Sequence, residues 1–208
     1  MDLSGPYKAV FDTALPDAGQ VADPFHVIKL ANRRLDECRR RVQNETLGHR
    51  GRKGDPLYKC RKLMLLAEER VTVEGQQRLQ SLLRAGDPKA EVAYAWHAKE
   101  AVRFFYNIPN ARHAQTYLRE LAADLQDETF PAEVRSLGRT LTRWFAPIIN
   151  WHRARASNGP IEAINNWIKR VKRVAFGFAR FDHYRIRALL YAGKPDWSLL
   201  ATITPKPH

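Results

Sequence analysis

An apolar residue recurs every three or four positions along most of this chain, beginning at Val27. The first such stripe comprises Val27, Ala31, Leu35, Cys38 and Val42, and it stops where Gly48, Gly51 and Gly54 follow. This spacing places the apolar side chains on one face of an α-helix, and glycines are typical of helix ends. The sequence therefore predicts a long first helix and a mainly α fold.

Further helices follow, each introduced by a proline or glycine. Asp55-Pro56 opens one helix, Gly86-Asp87-Pro88 separates a helix over 73–85 from the next, and Pro131 precedes a last long one. Pro147 is expected to kink that last helix, because proline lacks a backbone donor. The apolar positions are Leu57, Cys60, Met64 and Ala67, then Tyr94, Ala98, Ala101 and Phe105, then Ala111, Ala114, Leu118, Leu121 and Leu125, and finally Val134, Leu137, Leu141, Trp144, Ile148 and Trp151. We expect residues 31–152 to form one helical block.

The first thirty residues have a different pattern. A short amphipathic helix is predicted from Tyr7, Val10, Phe11 and Ala14, and Leu15-Pro16 should end it. Residues 20–23 could then form a brief strand. Residues 1–30 are thus expected to be an α/β segment.

Near the other end, Ser157-Asn158-Gly159-Pro160 predicts the start of another helix, because it combines capping side chains with a proline suited to the first turn. The apolar stripe of this helix is Ile161, Ile164, Ile168, Val171 and Ala175. The opposite side holds Glu162 in the first turn, with Asn165 or Asn166, Lys169 and Arg173 beyond it. We expect residues 153–192 to carry this helix and a basic region, and 193–208 to be a loosely ordered tail.

The charge of the chain points to a polyanionic partner. Its 35 Lys and Arg against 22 Asp and Glu give a formal charge of +13, and such a surplus favours nucleic acid through counterion release. Ribosomal and membrane-surface proteins share this surplus, so charge alone selects a class of partner and not a reaction.

Two basic clusters are candidates for DNA contact. Between residues 153 and 187 there are nine Lys and Arg against two acids, and the DNA-binding candidates there are Arg153, Arg155, Lys169, Arg170, Lys172 and Arg173. The second cluster is a glycine-rich loop with Arg50, Arg52 and Lys53, preceded by Arg39, Arg40 and Arg41. This loop either binds phosphate or is a solvated run of charge.

Other classes of protein are excluded or disfavoured. Cys38 and Cys60 have neither a CxxC spacing nor a matching pair of histidines, so a disulfide framework or a zinc knuckle is not indicated. No apolar run approaches the roughly 20 residues that span a bilayer. Trp96, Trp144, Trp151 and Trp167 lie near apolar helical stripes and are predicted to be core residues without a role in nucleic-acid binding.

Three segments resemble one family of proteins. They are Asp2 to Tyr7, the stretch from Leu15-Pro16 through Asp23-Pro24-Phe25-His26 to Asn32, and Ser157 to Arg173. In this order they resemble insertion-sequence transposases of the ISL3 group, and the similarity covers nearly the whole chain.

The resemblance implies an RNase H-like α/β catalytic domain with a large helical insertion. In such enzymes two Asp and one Glu hold two Mg²⁺ ions, for which Mn²⁺ can substitute. The second Asp corresponds to Asp2 and the Glu to Glu162, which makes both catalytic and metal-binding candidates. Asp23 and His26 match a D-x-x-H pattern and, with Asn158, are expected to support the site.

The chain also departs from the family pattern. The first catalytic Asp has no counterpart, and neither does the zinc-binding and helix-turn-helix region that recognises transposon ends. We therefore expect a truncated RNase H-like domain, the C-terminal portion of a DDE transposase, that is inactive alone. Full length, such a protein would act on double-stranded DNA, with no membrane association, in the bacterial cytoplasm near the nucleoid, and could form a homodimer.

Simpler roles compete with these assignments. Asp2 could be an ordinary terminal residue, Glu162 could only complement the helix dipole, and Asp23 and His26 could be a cap and a hydrogen-bonded histidine. For the whole chain, the alternatives are a non-catalytic, basic, helical nucleic-acid-binding protein and a decayed gene remnant.

Overall fold

A computed structural model describes residues 3–49, 51–193 and 195–202, and in these residues every regular element is helical. The predicted mainly α fold is confirmed at this level. The helices are α1 (Gly5–Ala14), α2 (Pro24–Leu47), α3 (Pro56–Leu65), α4 (Val73–Gly86), α5 (Glu91–Asn107), α6 (Ala111–Asp124), α7 (Ala132–Arg143), α8 (Phe145–Ala154), α9 (Gly159–Val174) and α10 (Phe181–Ala192), with 3-10 helices at Glu68–Arg70 and Trp197–Thr202.

Helix α2 shows why the sequence folds as it does. Asp23 caps its beginning, because a carboxylate oxygen accepts a hydrogen bond from the backbone N–H of Phe25 over 2.8 Å, and Pro24 occupies the first turn. Gly48 ends the helix with a left-handed backbone (φ 70°), which costs glycine little. All five members of the predicted stripe, from Val27 to Val42, are buried.

The chain divides into two compact units, Met1–Ala156 and Ser157–His208. In the first unit α2 packs along α5 and α7, α3 packs against α4, and α6 packs against α7 and α8. Their apolar faces form one core, which includes Leu35, Leu57, Phe105, Leu118 and Leu137. Helices α1 to α8 all belong to this unit, and the boundary predicted at residue 31 stays a prediction.

Ion pairs join the helices of the first unit around Arg41 of α2. Its guanidinium donates to both oxygens of Glu133 on α7 (2.8 and 3.1 Å) and to Glu91 on α5 (2.5 Å). A further pair reaches Glu45, one turn along α2. The hydrogen bond to Glu133 is the main cause that raises the pKa of Arg41, and burial of the guanidinium opposes it. The guanidinium is thus a fixed link between three helices.

Cys38 and Cys60 are both free thiols in the core. Burial raises the pKa of Cys38 to about 12 and that of Cys60 to about 11. Neither thiol is therefore poised to act as a nucleophile at neutral pH. Among the described helices none is long and apolar enough to cross a membrane.

The prediction of one long helix kinked at Pro147 is wrong in detail. Two helices, α7 and α8, meet at Trp144, three residues before the proline. Pro147 has no N–H to donate to the carbonyl of Arg143 and its ring crowds that carbonyl, so the interruption falls one turn earlier. Val134, Leu137, Leu141, Trp144 and Ile148 are all buried as predicted.

The predicted strand at residues 20–23 is not present: this segment has no regular secondary structure. The described part of the chain contains no strand with which residues 20–23 could pair, and this segment forms hydrogen bonds with α8 instead. The N–H of Ala22 donates to the carbonyl of Pro147 (2.8 Å), and the amide of Asn150 donates to the carbonyl of Gln20 (3.0 Å). The structure therefore does not support the α/β part of the RNase H-like prediction.

Helix α1 forms where it was predicted, but none of its residues is buried. Tyr7 and Val10 are each 62% exposed and Phe11 is 39% exposed. The apolar stripe of α1 is therefore left without a cover among the residues that the structure describes.

The second unit consists of α9, a turn and α10, followed by the 3-10 helix Trp197–Thr202. The two helices pack on each other, and Val171 is buried while Ile168, Ala175 and Tyr184 are partly buried. In the turn, Phe176 (φ 53°) and Gly177 (φ 106°) have left-handed backbones. This unit carries the larger of the two predicted basic clusters except for Arg153 and Arg155, which belong to the first unit.

Candidate nucleic-acid interface

Helix α9 begins where the capping sequence predicts. The hydroxyl of Ser157 accepts a hydrogen bond from the N–H of Gly159 over 3.0 Å, and Pro160 lies in the first turn. The N–H of Glu162 donates to the carbonyl of Asn158 over 2.9 Å. Asn158 is the residue that precedes the helix, and the Glu162 carboxylate is exposed in its first turn.

Glu162, Lys169 and Arg173 share one face of α9. Lys169 follows Glu162 by seven residues and Arg173 follows it by eleven. These separations are two and three helical turns, to within about 20° of rotation around the helix axis. At 1.5 Å per residue, the cations lie roughly 10 and 16 Å from Glu162 along the helix axis. All three side chains are exposed. A phosphate backbone held by this face would therefore pass within reach of the carboxylate.

The two other cations of the cluster, Arg170 and Lys172, flank this face. Both are exposed, and no ion pair engages Lys169, Arg170, Lys172 or Arg173 within the described residues. The turn and α10 add three exposed cations that the charge count included but that were not assigned to a site, Arg180, Arg185 and Arg187. Their membership in the same basic stretch was the signal that could have identified them.

Trp167 departs from its predicted role as a core residue. It is 46% exposed, whereas Trp96 and Trp144 are buried and Trp151 is partly buried. The guanidinium carbon of Arg170 lies 4.9 Å from the centre of the Trp167 ring, which is a cation–π arrangement. Trp167 therefore belongs to a solvent-facing surface.

Arg153 and Arg155 lie at the end of α8, in the first unit. Both are exposed, and the guanidinium carbon of Arg155 is 4.5 Å from the centre of the Trp151 ring. Arg155 follows the helix with a left-handed backbone (φ 49°). These side chains are accessible to phosphate but one of them is already stacked on an aromatic ring.

The second predicted cluster is partly committed to other contacts. Arg50 lies outside the described residues, whereas Arg52 and Lys53 are exposed. The N–H of Arg52 donates to the carboxylate of Asp55, which shapes the loop. The preceding arginines are paired internally: Arg39 and Arg40 contact Asp36, and Arg41 forms the link described above. The basic helix that precedes the loop therefore serves the fold.

Asp23 and His26 lie together at the start of α2. Asp23 is 5% exposed and caps the helix, and His26 is partly buried in the first turn. Burial is the main cause that raises the pKa of Tyr106. The negative charge of the nearby Asp23 raises the pKa of Tyr106 further. The observed contact of Asp23 is thus that of a helix cap beside a buried phenol.

An aromatic cluster surrounds His152 next to this cap. The imidazole is 6% exposed, and its centre lies 4.6 Å from that of Phe105 and 5.1 Å from that of Trp151. The ring of Tyr106 is nearly parallel to it. Burial, and then the charge of Arg155, lowers the pKa of His152. This histidine is therefore neutral at physiological pH.

Asp2 lies outside the described residues, so its separation from Glu162 is not observed. Within the described part of the chain, no three His, Cys, Asp or Glu side chains come together as a metal-binding group. Glu162 nevertheless offers the hard oxygen donors that Mg²⁺ prefers, and Mg²⁺ commonly takes only one or two protein carboxylates. The described residues can thus supply one ligand but do not complete a site.

Two of the comparisons with known proteins point to the same family. A sequence model of ISL3-type DDE transposases, described as "Transposase", matches residues 1–188. The chain is 28% identical over 193 residues to the transposase for insertion sequence element IS1001 of Bordetella parapertussis, covering 90% of this chain and 46% of that protein. It is also 35% identical over 63 residues to an ATP-dependent protease of Lactococcus lactis subsp. lactis, covering 30% of this chain and 20% of that protein. No solved structure matches significantly.

The chain thus spans about half the length of the IS1001 transposase and a smaller part of the other relative. The family match includes α1, the Asp23 cap, all of α9 and most of α10. Its extent over 188 of 208 residues identifies the chain as a member of the ISL3 family of insertion-sequence transposases.

Proposed function

We propose that this chain is the C-terminal part of a DDE transposase, which cleaves and joins DNA strands in the transposition of an insertion sequence. The observation that carries the proposal is the position of Glu162 within the matched region, exposed at the start of a helix whose same face bears Lys169 and Arg173. A carboxylate and a row of phosphate-binding cations on one face suit a nuclease or strand-transfer site.

The partner in this proposal is double-stranded DNA at transposon ends and targets, in the bacterial nucleoid. Lys169, Arg170, Lys172 and Arg173 would position its backbone, because exposed cations gain affinity by releasing counterions from phosphates. Contacts of this kind set position and not sequence. End recognition would then depend on parts of the transposase beyond this chain.

Mg²⁺, or Mn²⁺ in its place, is the proposed cofactor, with Glu162 and Asp2 as protein ligands. When bound, a pair of such ions would activate the attacking oxygen and stabilise the leaving oxygen at phosphorus. The contribution of the chain is to present the Glu162 carboxylate at a fixed position in the first turn of α9.

An RNase H-like catalytic domain is part of the same proposal. The exposed apolar side chains of α1 and the exposed Ile161 (61%) and Ile164 (44%) of α9 support it, because helices of an α/β domain normally cover a sheet. The strands would then come from outside this chain. For that reason we propose that the chain alone lacks strand-transfer activity, and that homodimer formation involves the longer protein.

The test uses the chain by itself and the chain extended by the coding sequence that precedes it in the genome. With Mg²⁺ and labelled insertion-sequence ends, the extended protein should nick the DNA and the chain alone should not. Glu162→Gln in the extended protein should lower the rate by roughly a hundredfold or more, since an ion site is worth several kcal/mol. Glu128→Gln, at another exposed carboxylate, is the matched control. Undiminished cleavage by the Glu162 variant would remove the catalytic assignment.

A further inference from the structure

A shallow groove runs between α9 and α10 in the second unit. Its volume is about 200 Å³. Seven side chains line it, namely Trp167, Arg170, Val171, Val174, Ala175, Arg187 and Tyr191. Pockets for drug-sized molecules are larger, roughly 300–1,000 Å³. The groove therefore suits one planar ring system that belongs to a longer ligand.

The walls of this groove are aromatic and exposed. Trp167 is 46% and Tyr191 is 68% exposed, and Val171 and Val174 line the same groove. Exposed indole and phenol rings beside apolar side chains offer a flat surface on which another ring can stack. Because α10 covers mainly the Val171 side of α9, the indole remains open to a ligand.

The rim of the groove is cationic. Arg170 stacks on Trp167, and Arg187 lies 5.7 Å from the centre of the Phe178 ring. From residue 157 to residue 193 the sequence has seven Lys and Arg against two acids. A ligand that fits this groove thus has an aromatic ring that stacks on the walls and anionic groups that contact the arginines of the rim.

We propose that this groove binds an unpaired base of single-stranded DNA. The base would stack on Trp167, and the adjoining phosphates would contact Arg170 and Arg187. A base inside a duplex cannot enter, since both of its faces are already stacked on neighbours. This inference rests on the proposed function, because it takes DNA to be the partner of the basic face of α9.

The groove lies on a different side of α9 from the proposed catalytic carboxylate. Trp167 follows Glu162 by five residues, which is roughly 8 Å along the helix axis and about 140° around it. Arg170 stands between the groove and the face that holds Lys169 and Arg173. The bound base would therefore lie on a different face of α9 from the Glu162 carboxylate.

The test measures binding of the full chain to short labelled DNA by fluorescence anisotropy, with single strands and the matching duplex. Trp167→Leu should weaken single-strand binding by roughly 5- to 100-fold, as expected for the loss of one stacked base. Duplex binding should change less than about twofold, because phosphate contacts remain. Trp167→Phe, which keeps an aromatic face, should restore most of the single-strand affinity.

Trp197→Leu is the matched control, because Trp197 is 59% exposed in the same unit and does not line the groove. If Trp167→Leu fails to fold, 2-aminopurine in the single strand gives a second measurement: Trp167→Phe should still quench its fluorescence and Arg170→Gln should reduce the quenching. Equal single-strand binding by Trp167→Leu and wild type, with duplex binding intact, overturns the groove alone. Absence of binding to either DNA form would overturn the DNA partner as well.

Discussion

The Nζ of Lys99 donates a hydrogen bond to the backbone oxygen of Leu66 over 2.7 Å, from a side chain that is completely buried in the first unit. A second bond reaches the carbonyl of Met64 over 2.8 Å. Both acceptors are at the end of α3, where carbonyls lack helical partners. A lysine of α5 therefore completes the C-terminus of a neighbouring helix.

Lys99→Met should lower the free energy of unfolding by about 2 kcal/mol, because it leaves the carbonyls of Met64 and Leu66 without their donor and Glu100 without one of its ion-pair partners. Burial already lowers the pKa of Lys99, so part of the loss is offset by removing a desolvated charge. Urea denaturation measures the effect, with the exposed Lys89→Met as control. Equal stability of the two variants would show that the hydrogen bonds add nothing.

Replacing Arg41, which links three helices, should lower the free energy of unfolding more than replacing an arginine of an ordinary surface ion pair. Arg41→Ala breaks contacts to Glu91 and Glu133 on two other helices, and we expect a loss of about 2 kcal/mol. Arg41→Lys should recover less than half of it, since an ammonium cannot make the two-pronged contact. The control is Arg33→Ala, because the Arg33 side chain is 70% exposed and forms its ion pair within α2. This substitution should lower the free energy of unfolding by less than about 0.5 kcal/mol. Thermal denaturation of the three variants measures the difference.

Acid should destabilise the first unit through His152. Its pKa is lowered by burial, so below the ordinary value the unfolded chain binds a proton that the folded chain does not. Stability is therefore fully present above about pH 6.5 and falls as the pH drops toward the folded-state pKa, by at most about 1.4 kcal/mol per pH unit. His152→Phe should flatten this dependence, whereas the exposed His113→Phe should not. Urea denaturation at several pH values decides between them.

Neutralising Lys169 and Arg173 together should weaken DNA binding by the chain without regard to sequence. Each exposed cation that contacts phosphate contributes about one unit to the slope of log K against log salt, so the double Gln variant should lose about two. Lys89→Gln is the control for net charge. An unchanged slope would mean that this face of α9 does not meet the DNA backbone.

The apolar period was sufficient to locate the helices of the first unit, because burial there follows the helical repeat directly. All positions from Val27 to Val42 in the stripe are buried, and Asp23 caps the helix that follows it. Tyr94 is an exception, 47% exposed, because the buried face of α5 runs through Val92 and Ala95 instead. Periodicity gives a face to within a residue or so, and neighbouring helices decide which edge is covered.

The features that sequence patterns did not predict depend on partners distant in the chain. Residues 20–23 form no strand, because their backbone forms hydrogen bonds with α8. The helix is interrupted at Trp144, because Pro147 has no N–H to donate to the carbonyl one turn before it. Trp167 has the spacing of a core residue, yet α10 does not cover it. The catalytic pairing of Asp2 with Glu162 stays a prediction, since Asp2 lies outside the described residues.

The thin packing between α9 and α10 has a thermodynamic consequence. With Val171 as the buried side chain of that hairpin among the residues described, folding of the second unit gains little from the hydrophobic effect. A ligand that binds only the folded hairpin would add to its stability, because binding draws the folding equilibrium toward the folded form. Ordering of this hairpin and capture of its ligand would then be a single coupled equilibrium.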